Sequence, residues 1–336
     1  MTYSYIDLRS DTVTKPDAQM RRAMAAAEVG DDVLDHDPTM MALEEQVAEL
    51  LGLPAALWVP SGSMGNLIAL MIHLRRGDQF LAPEHSHVLG SELGTAAWLA
   101  QGMPVALPHD GGPGRPTPET VTRAAGTAGP YFALNTTLLC LENTHNFAGG
   151  SVTTPRQWAA LVDAARARDL RVHLDGARLW NAAAALDVPL TELTAGADSV
   201  QVCLSKGLGA PVGSVLAAST NQITEARRIR KMLGGGVRQG GVLAAAGLLA
   251  LRSRDRLSDD HANAARLASG LRDRGWTASE PATNIVLAES ADPVATVAAL
   301  AAVGVGAVTV AGKVRFVTHR DVDTAAIDDA LTRITF

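Results

Sequence analysis

Cysteine is scarce: Cys140 and Cys203 are the only two in 336 residues. Both lie inside apolar runs, which excludes a disulfide framework and reads as two reduced core residues of a cytoplasmic protein. Neither has metal-ligand spacing. Positive charge is not in excess either. With 29 Lys and Arg against 35 Asp and Glu, the net charge of −6 argues against a nucleic-acid surface. No apolar run reaches the roughly 20 residues of a membrane span. The nearest, residues 240–251, is Ala-rich and ends in Arg252, as a buried helix would. The first residues lack a basic segment followed by an apolar one, so no secretory signal is expected. Low-complexity tracts and internal repeats are missing. So are the Gly-Lys-Ser/Thr of a P-loop and the Gly-x-Ser-x-Gly of a nucleophile elbow. Gly207, Gly209 and Gly213 have the wrong spacing for a dinucleotide loop, and Pro211 interrupts them.

What is present is alternation. Asp37-Pro38 marks a helix start, Leu43, Val47, Leu50 and Leu51 keep helical spacing, and Gly52 stops it. Ala56 to Val59 reads as a strand ending in Pro60-Ser-Gly-Ser63, with a helix after it. Thr137 to Leu141, Leu170 to Leu174 and Ser199 to Leu204 read as buried strands, and Thr154-Pro155 caps an intervening helix. This pattern predicts an α/β fold with a mostly parallel sheet covered by helices. Beyond about residue 245 it changes to helices near 259–274, 292–302 and 321–333 with short strands near 284–288, 305–310 and 313–318. The expectation is a large domain over 1–245 and a smaller α+β domain over 246–336.

On such sheets ligands bind beyond the carboxyl ends of strands. Three candidate groups follow strand ends here. Lys206 closes an apolar run in Cys203-Leu-Ser-Lys-Gly-Leu-Gly209, where a lysine is costly unless it has a task. A desolvated lysine can form a Schiff base; the bland alternative is an amine reaching to solvent. Asp175 closes Arg171-Val-His-Leu-Asp175 and could instead cap the next helix. An amine for an aldehyde and a carboxylate for a pyridinium nitrogen together suit pyridoxal phosphate. Ser61-Gly-Ser-Met-Gly-Asn66 opens a helix and could hold a phosphate, or be a plain capped turn.

Other candidates carry the same ambiguity. His85 and His87 form a His-x-His pair without further ligands nearby, so no metal is expected; one ring could cover a cofactor. Arg178 could pair with Asp175 at the surface or belong to a carboxylate site. Arg238, after Gly234-Gly-Gly236, could bind phosphate or lie in a hinge. Arg315, flanked by Val314 and Phe316, could meet a substrate carboxylate or an acidic partner.

With these residues placed, the chain resembles the low-specificity L-threonine aldolases, pyridoxal-phosphate enzymes of the aspartate-aminotransferase fold type. The resemblance runs almost end to end. It is carried by Asp7-Leu-Arg-Ser-Asp-Thr-Val-Thr14, Val29-Gly-Asp-Asp-Val33, Asp37-Pro-Thr39, Leu141-Glu-Asn-Thr-His-Asn146, His173-Leu-Asp-Gly-Ala-Arg178, Cys203 to Gly209 and Gly234 to Gln239. It implies a seven-stranded-type sheet and cleavage of L-threonine or L-allo-threonine to glycine and an aldehyde. Lys206 would hold the cofactor, Asp175 its ring nitrogen and His87 its ring face. Gly62, Ser63 and Met64 would hold its phosphate, with Arg238 reaching a neighbouring subunit's phosphate in a homotetramer, a dimer of dimers. Ser10, Arg178 and Arg315 would grip the substrate carboxylate. Two stretches depart from the family pattern. Leu34-Asp35-His36 replaces a common Tyr-Gly-Asp. Phe132 stands where many members have a histidine that contacts the substrate hydroxyl, which implies a more apolar pocket and leaves His87 or a water as the base. The alternatives are a β-eliminating lyase or an aldolase for another β-substituted amino acid on the same scaffold, and a cofactor-binding protein without catalysis.

Overall fold

The computed structural model describes residues 5–34, 36–126 and 129–335. Its strands are β1 (Ile6–Asp7), β2 (Ala55–Val59), β3 (Gln79–Pro83), β4 (Met103–Leu107), β5 (Thr136–Glu142), β6 (Arg171–Gly176), β7 (Ser199–Cys203), β8 (Ser214–Ala218), β9 (Ile285–Ala288), β10 (Val305–Gly306), β11 (Val308–Val310) and β12 (Lys313–Val317). Seven of them form one sheet in the order β2-β8-β7-β6-β5-β3-β4. Only β8 runs against its neighbours, β2 and β7. The chain from Cys203 to Ser214 is too short for a crossover helix, so β8 must return antiparallel. Lys206 lies in that return, which is closed by a bond from the Leu204 N–H to the Gly213 carbonyl, 3.0 Å.

Helices cover both faces, and their ends follow sequence signals. Asp37 caps Pro38–Leu51, which ends at Gly52 with φ 65°. That left-handed turn suits a residue without Cβ. Ser61 caps Gly62–His73, and Thr154 with Gln157 forms a capping box on Pro155–Arg166. One face of β6 and β7 is apolar: Val172, Leu174, Val200 and Val202 are fully buried in the main core. The opposite face carries His173, Asp175, Ser199, Gln201 and Cys203, since alternate strand residues point to opposite sides.

The helix Gly241–Arg252 crosses residue 245, and its Ala246, Ala250 and Leu251 pack in the main core together with Leu257. A second core gathers Leu267, Leu271, Val286, Phe316, Ile327 and Leu331 under the antiparallel sheet β11-β12-β9. Ile6 and Leu8 belong to this second core, because β1 pairs with β10. The N-terminal segment therefore returns to the C-terminal body. Among the described residues no helix is long and apolar enough to cross a membrane.

Candidate active site

Strands β2, β3, β5, β6 and β7 run in one direction, and the segments at their carboxyl ends surround a cavity of about 240 Å³. Lys206 lines it, and its Nζ donates to Cys203 Sγ at 3.2 Å rather than extending to solvent. The same sulfur receives Gln201 Nε2 and Ser214 Oγ, each at 3.2 Å. Cys203 is thus a buried free thiol that also faces the cavity, whereas Cys140 is simply enclosed. Asp175 faces the same space from β6. Its Oδ2 accepts from Asn66 Nδ2 at 2.8 Å and its Oδ1 from the Ala177 N–H at 3.0 Å. The cap position of the following helix, Leu179–Leu186, belongs to Arg178 instead.

His87 enters beyond β3. Its Nδ1 lies 2.7 Å from Glu92 Oε1, and its backbone N–H donates to Glu142 Oε2 at 2.8 Å. The hydrogen bond to Glu92 holds the imidazole pKa above its ordinary value, against burial, which lowers it. Glu142 closes β5 and also accepts from the Asn146 N–H at 2.8 Å. Burial, then the charge of Asp175, pushes its carboxyl up to about 7. Ligand atoms of His87, Glu92 and Asp175 lie within 4.8 Å of one another, and Asn66 Nδ2 bridges the two carboxylates.

Two guanidiniums line the cavity, and they differ. Arg178 is buried and grips Asp11 through Nε and Nη2 at 2.8 and 2.7 Å. Its partner is therefore Asp11, not a surface contact with Asp175. Burial disfavours the Asp11 charge, but Arg178 outweighs it and brings the carboxyl down to about 2. Arg315 donates to Asn146 Oδ1 at 2.9 Å and to the Arg9 carbonyl at 3.2 Å, and its Nε is buried with no partner. No carboxylate among the described residues pairs with it. Burial, then repulsion from Arg178, lowers its pKa to about 10. A buried guanidinium without an anion keeps its charge free for an anionic group. Ser10 lies beside it on the cavity wall, its hydroxyl accepting from Thr12 Oγ1 at 2.9 Å.

Gly62 and Ser63 line the cavity at the start of their helix, where the first N–H groups lack intrahelical partners. A Cβ on Gly62 would stand 2.9 Å from Cys203 Sγ and 3.1 Å from Gln201 Nε2, so only glycine lets this turn close on β7. Met64 is placed differently from the expectation. It does not line the cavity; its N–H is bonded to Ser61 Oγ at 3.2 Å and its side chain packs at Gly235. Arg238 is also outside the cavity of its own chain. Its side chain is 62% exposed and pairs with Asp31 at 3.0 Å. Phe132 corrects the expected apolar pocket: it is 75% exposed, edge-on to Tyr131, and does not line the cavity. The loop ahead of β5 holds both rings at the surface. Asp35, in the other departing stretch, lies outside the described residues.

Sequence reasoning missed Asp11, Asn66, Glu92, Glu142, Asn146 and Gln201. Asp11, Glu142 and Asn146 lie in the stretches that carry the family resemblance, Gln201 sits between Val200 and Val202, and Asn66 opens the apolar run Leu67 to Ile72; Glu92 had no such signal.

The beta-eliminating lyase family model matches residues 7–293. The chain belongs to the beta-eliminating lyase family. Its relatives include low-specificity L-threonine aldolases. The Arabidopsis thaliana low-specificity L-threonine aldolase 1 is 46% identical over 275 residues, 81% of this chain and 76% of that protein. The Escherichia coli K12 low specificity L-threonine aldolase is 44% identical over 287 residues, 84% of this chain and 83% of that one. Among solved structures, the Leishmania major threonine aldolase has a TM-score of 0.83 over 98% of this chain and all of its own, at 20% identity. That likeness shows the shared family fold.

Proposed function

We propose that this protein is a pyridoxal-phosphate-dependent lyase that cleaves L-threonine and L-allo-threonine to glycine and acetaldehyde. The observation that carries the reading is one cavity holding the Lys206 amine, the Asp175 carboxylate and an Arg315 guanidinium without a counter-ion. The residues present fit the cofactor. The turn at Gly62, left open by the missing Cβ, offers N–H groups for a phosphate, and Asp175 offers an acceptor for a ring nitrogen. When bound, pyridoxal phosphate supplies an aldehyde for amines and a ring that takes up the electron pair of a broken Cα bond.

The chain's own residues do the rest. Lys206 Nζ is the tethering amine, kept in place by Cys203 Sγ. Arg315, with Asn146, Ser10 and Arg178 around it, orients the substrate through its carboxylate and so chooses which Cα bond is strained. His87 presents Nε2 as the base for the β-hydroxyl proton, and Glu92 on Nδ1 stabilises the imidazolium that results. The family model also favours a second reading, β-elimination, in which threonine would lose water and yield 2-oxobutanoate and ammonia. We further propose a cytoplasmic homotetramer, a dimer of dimers, in which exposed Arg238 reaches the phosphate of a neighbouring subunit. Leu34, Trp98 and Leu93, exposed by 71, 75 and 98%, support association of the chains.

The test is incubation of the cofactor-loaded protein with each threonine isomer while glycine, acetaldehyde, 2-oxobutanoate and ammonia are measured. Glycine and acetaldehyde are expected, and Lys206→Ala should abolish both turnover and the yellow Schiff-base absorbance. A loaded protein that releases 2-oxobutanoate and ammonia instead overturns the aldolase reading.

A further inference from the structure

Behind Asp175 a polar seam crosses the packing between the helix Gly62–His73 and the sheet. The helix contributes Asn66 and His73, two turns apart and so on one face. Strands β6 and β7 contribute His173 and Ser199, which are directly paired in the register. His73 Nε2 is 2.8 Å from Ser199 Oγ, and Ser199 Oγ is 2.8 Å from His173 Nδ1. His173 Nε2 is 3.1 Å from Asn66 Oδ1. Asn66 Nδ2 then donates to Asp175 Oδ2 and Glu92 Oε1, each at 2.8 Å.

Only one arrangement of protons satisfies these contacts. Two carboxylates flank Nδ2, which fixes the amide with Oδ1 toward His173. An amide oxygen can only accept, so His173 carries its proton on Nε2. Burial, with His73 as a second cause, lowers the His173 pKa to about 4, so the ring is neutral at pH 7 and Nδ1 is bare. Ser199 Oγ must donate to that nitrogen, and His73 Nε2 must donate to Ser199. Every donor therefore points toward Asp175, and aligned bonds polarise one another. An amide does not pass a proton on without changing tautomer, so the chain polarises rather than conducts. Its outer end, His73, opens on a cleft with Arg171 and Asp198 at the amino ends of β6 and β7. At its inner end Glu142, Glu92 and His87 also face Asp175.

We propose that His73, Ser199, His173 and Asn66 are positioning residues: a one-way donor chain that fixes the orientation of the Asp175 carboxylate, ready to hold a protonated ring nitrogen. The role toward the ring rests on the cofactor reading above; the chain itself does not.

Two measurements separate them. Long-range ¹H–¹⁵N imidazole spectra of the cofactor-free protein at pH 7 should show His73 and His173 neutral and protonated on Nε2. A proton on Nδ1 of His173 overturns the chain. With pyridoxal phosphate added, His173→Phe should weaken uptake by about 2- to 10-fold, the worth of one hydrogen bond between neutral groups, and shift the pH titration of its absorbance. His173→Gln, which keeps a donor for Asn66, should restore both. Ser199→Ala should shift the titration in the same direction by less. Wild-type uptake and titration in His173→Phe would overturn the positioning role. No uptake by the wild type would overturn the cofactor reading and the role toward the ring, leaving the spectra to decide the chain.

Discussion

Replacing Arg315 by methionine should move stability and activity in opposite directions. The guanidinium is 8% exposed and has no carboxylate partner among the described residues. Burial lowers its pKa from the ordinary guanidinium range to about 10. At about 1.4 kcal/mol per unit, keeping the cation in the fold costs about 3 kcal/mol at every pH well below 10. Methionine removes that cost. It also removes the bonds to Asn146 Oδ1 and the Arg9 carbonyl, worth about 1 kcal/mol each. A gain of about 1–2 kcal/mol remains, which for 336 residues raises Tm by about 2 °C. Meanwhile the loss of a charge-assisted grip on the substrate carboxylate should lower kcat/KM about 10- to 150-fold. Thermal melts and steady-state kinetics on the cofactor-loaded protein give both numbers. Glycine should raise the Tm of the parent, because it binds only the folded state, and leave the variant unmoved. A variant that is less stable than the parent and still responds to glycine would refute the idea that Arg315 is an empty carboxylate site.

Asp11→Asn should cost about 3–5 kcal/mol in urea unfolding, since it strands the buried Arg178 without its anion. The Asp11 carboxyl, near 2 in the fold against about 4 in the unfolded chain, contributes stability above pH ~4 that is lost as pH falls toward 2; the variant should lack that part of the acid limb. Glu142 has the opposite sign. Its pKa of about 7 against about 4.3 unfolded gives stability that is full below pH ~4 and lost as pH rises through 7. Glu142→Gln should therefore flatten the stability profile between pH 4 and 7, and an unchanged profile would contradict the buried acid.

The sequence by itself determined the α/β alternation and which charged residues follow strand ends. These are local properties: apolar runs, caps such as Asp37 and Thr154, and a lysine or aspartate where an apolar run stops. Strands β3, β4 and β8 escaped that reading. β4 carries Pro104 and exposed residues, and the return to β8 has no helix to mark a parallel crossover. Only the tertiary structure decided what those residues meet. Arg178 finds Asp11 from 167 positions away, and Arg315 shares Asn146 with it from 169 positions away. It also showed that Met64 spends its N–H on a cap, that Phe132 stays at the surface and that the N-terminal segment joins the second core. The physical reason is that periodicity reports which face of an element is buried. The identity of a partner across the chain depends on how separate elements pack, and that packing joins residues whose separation along the sequence carries no signal.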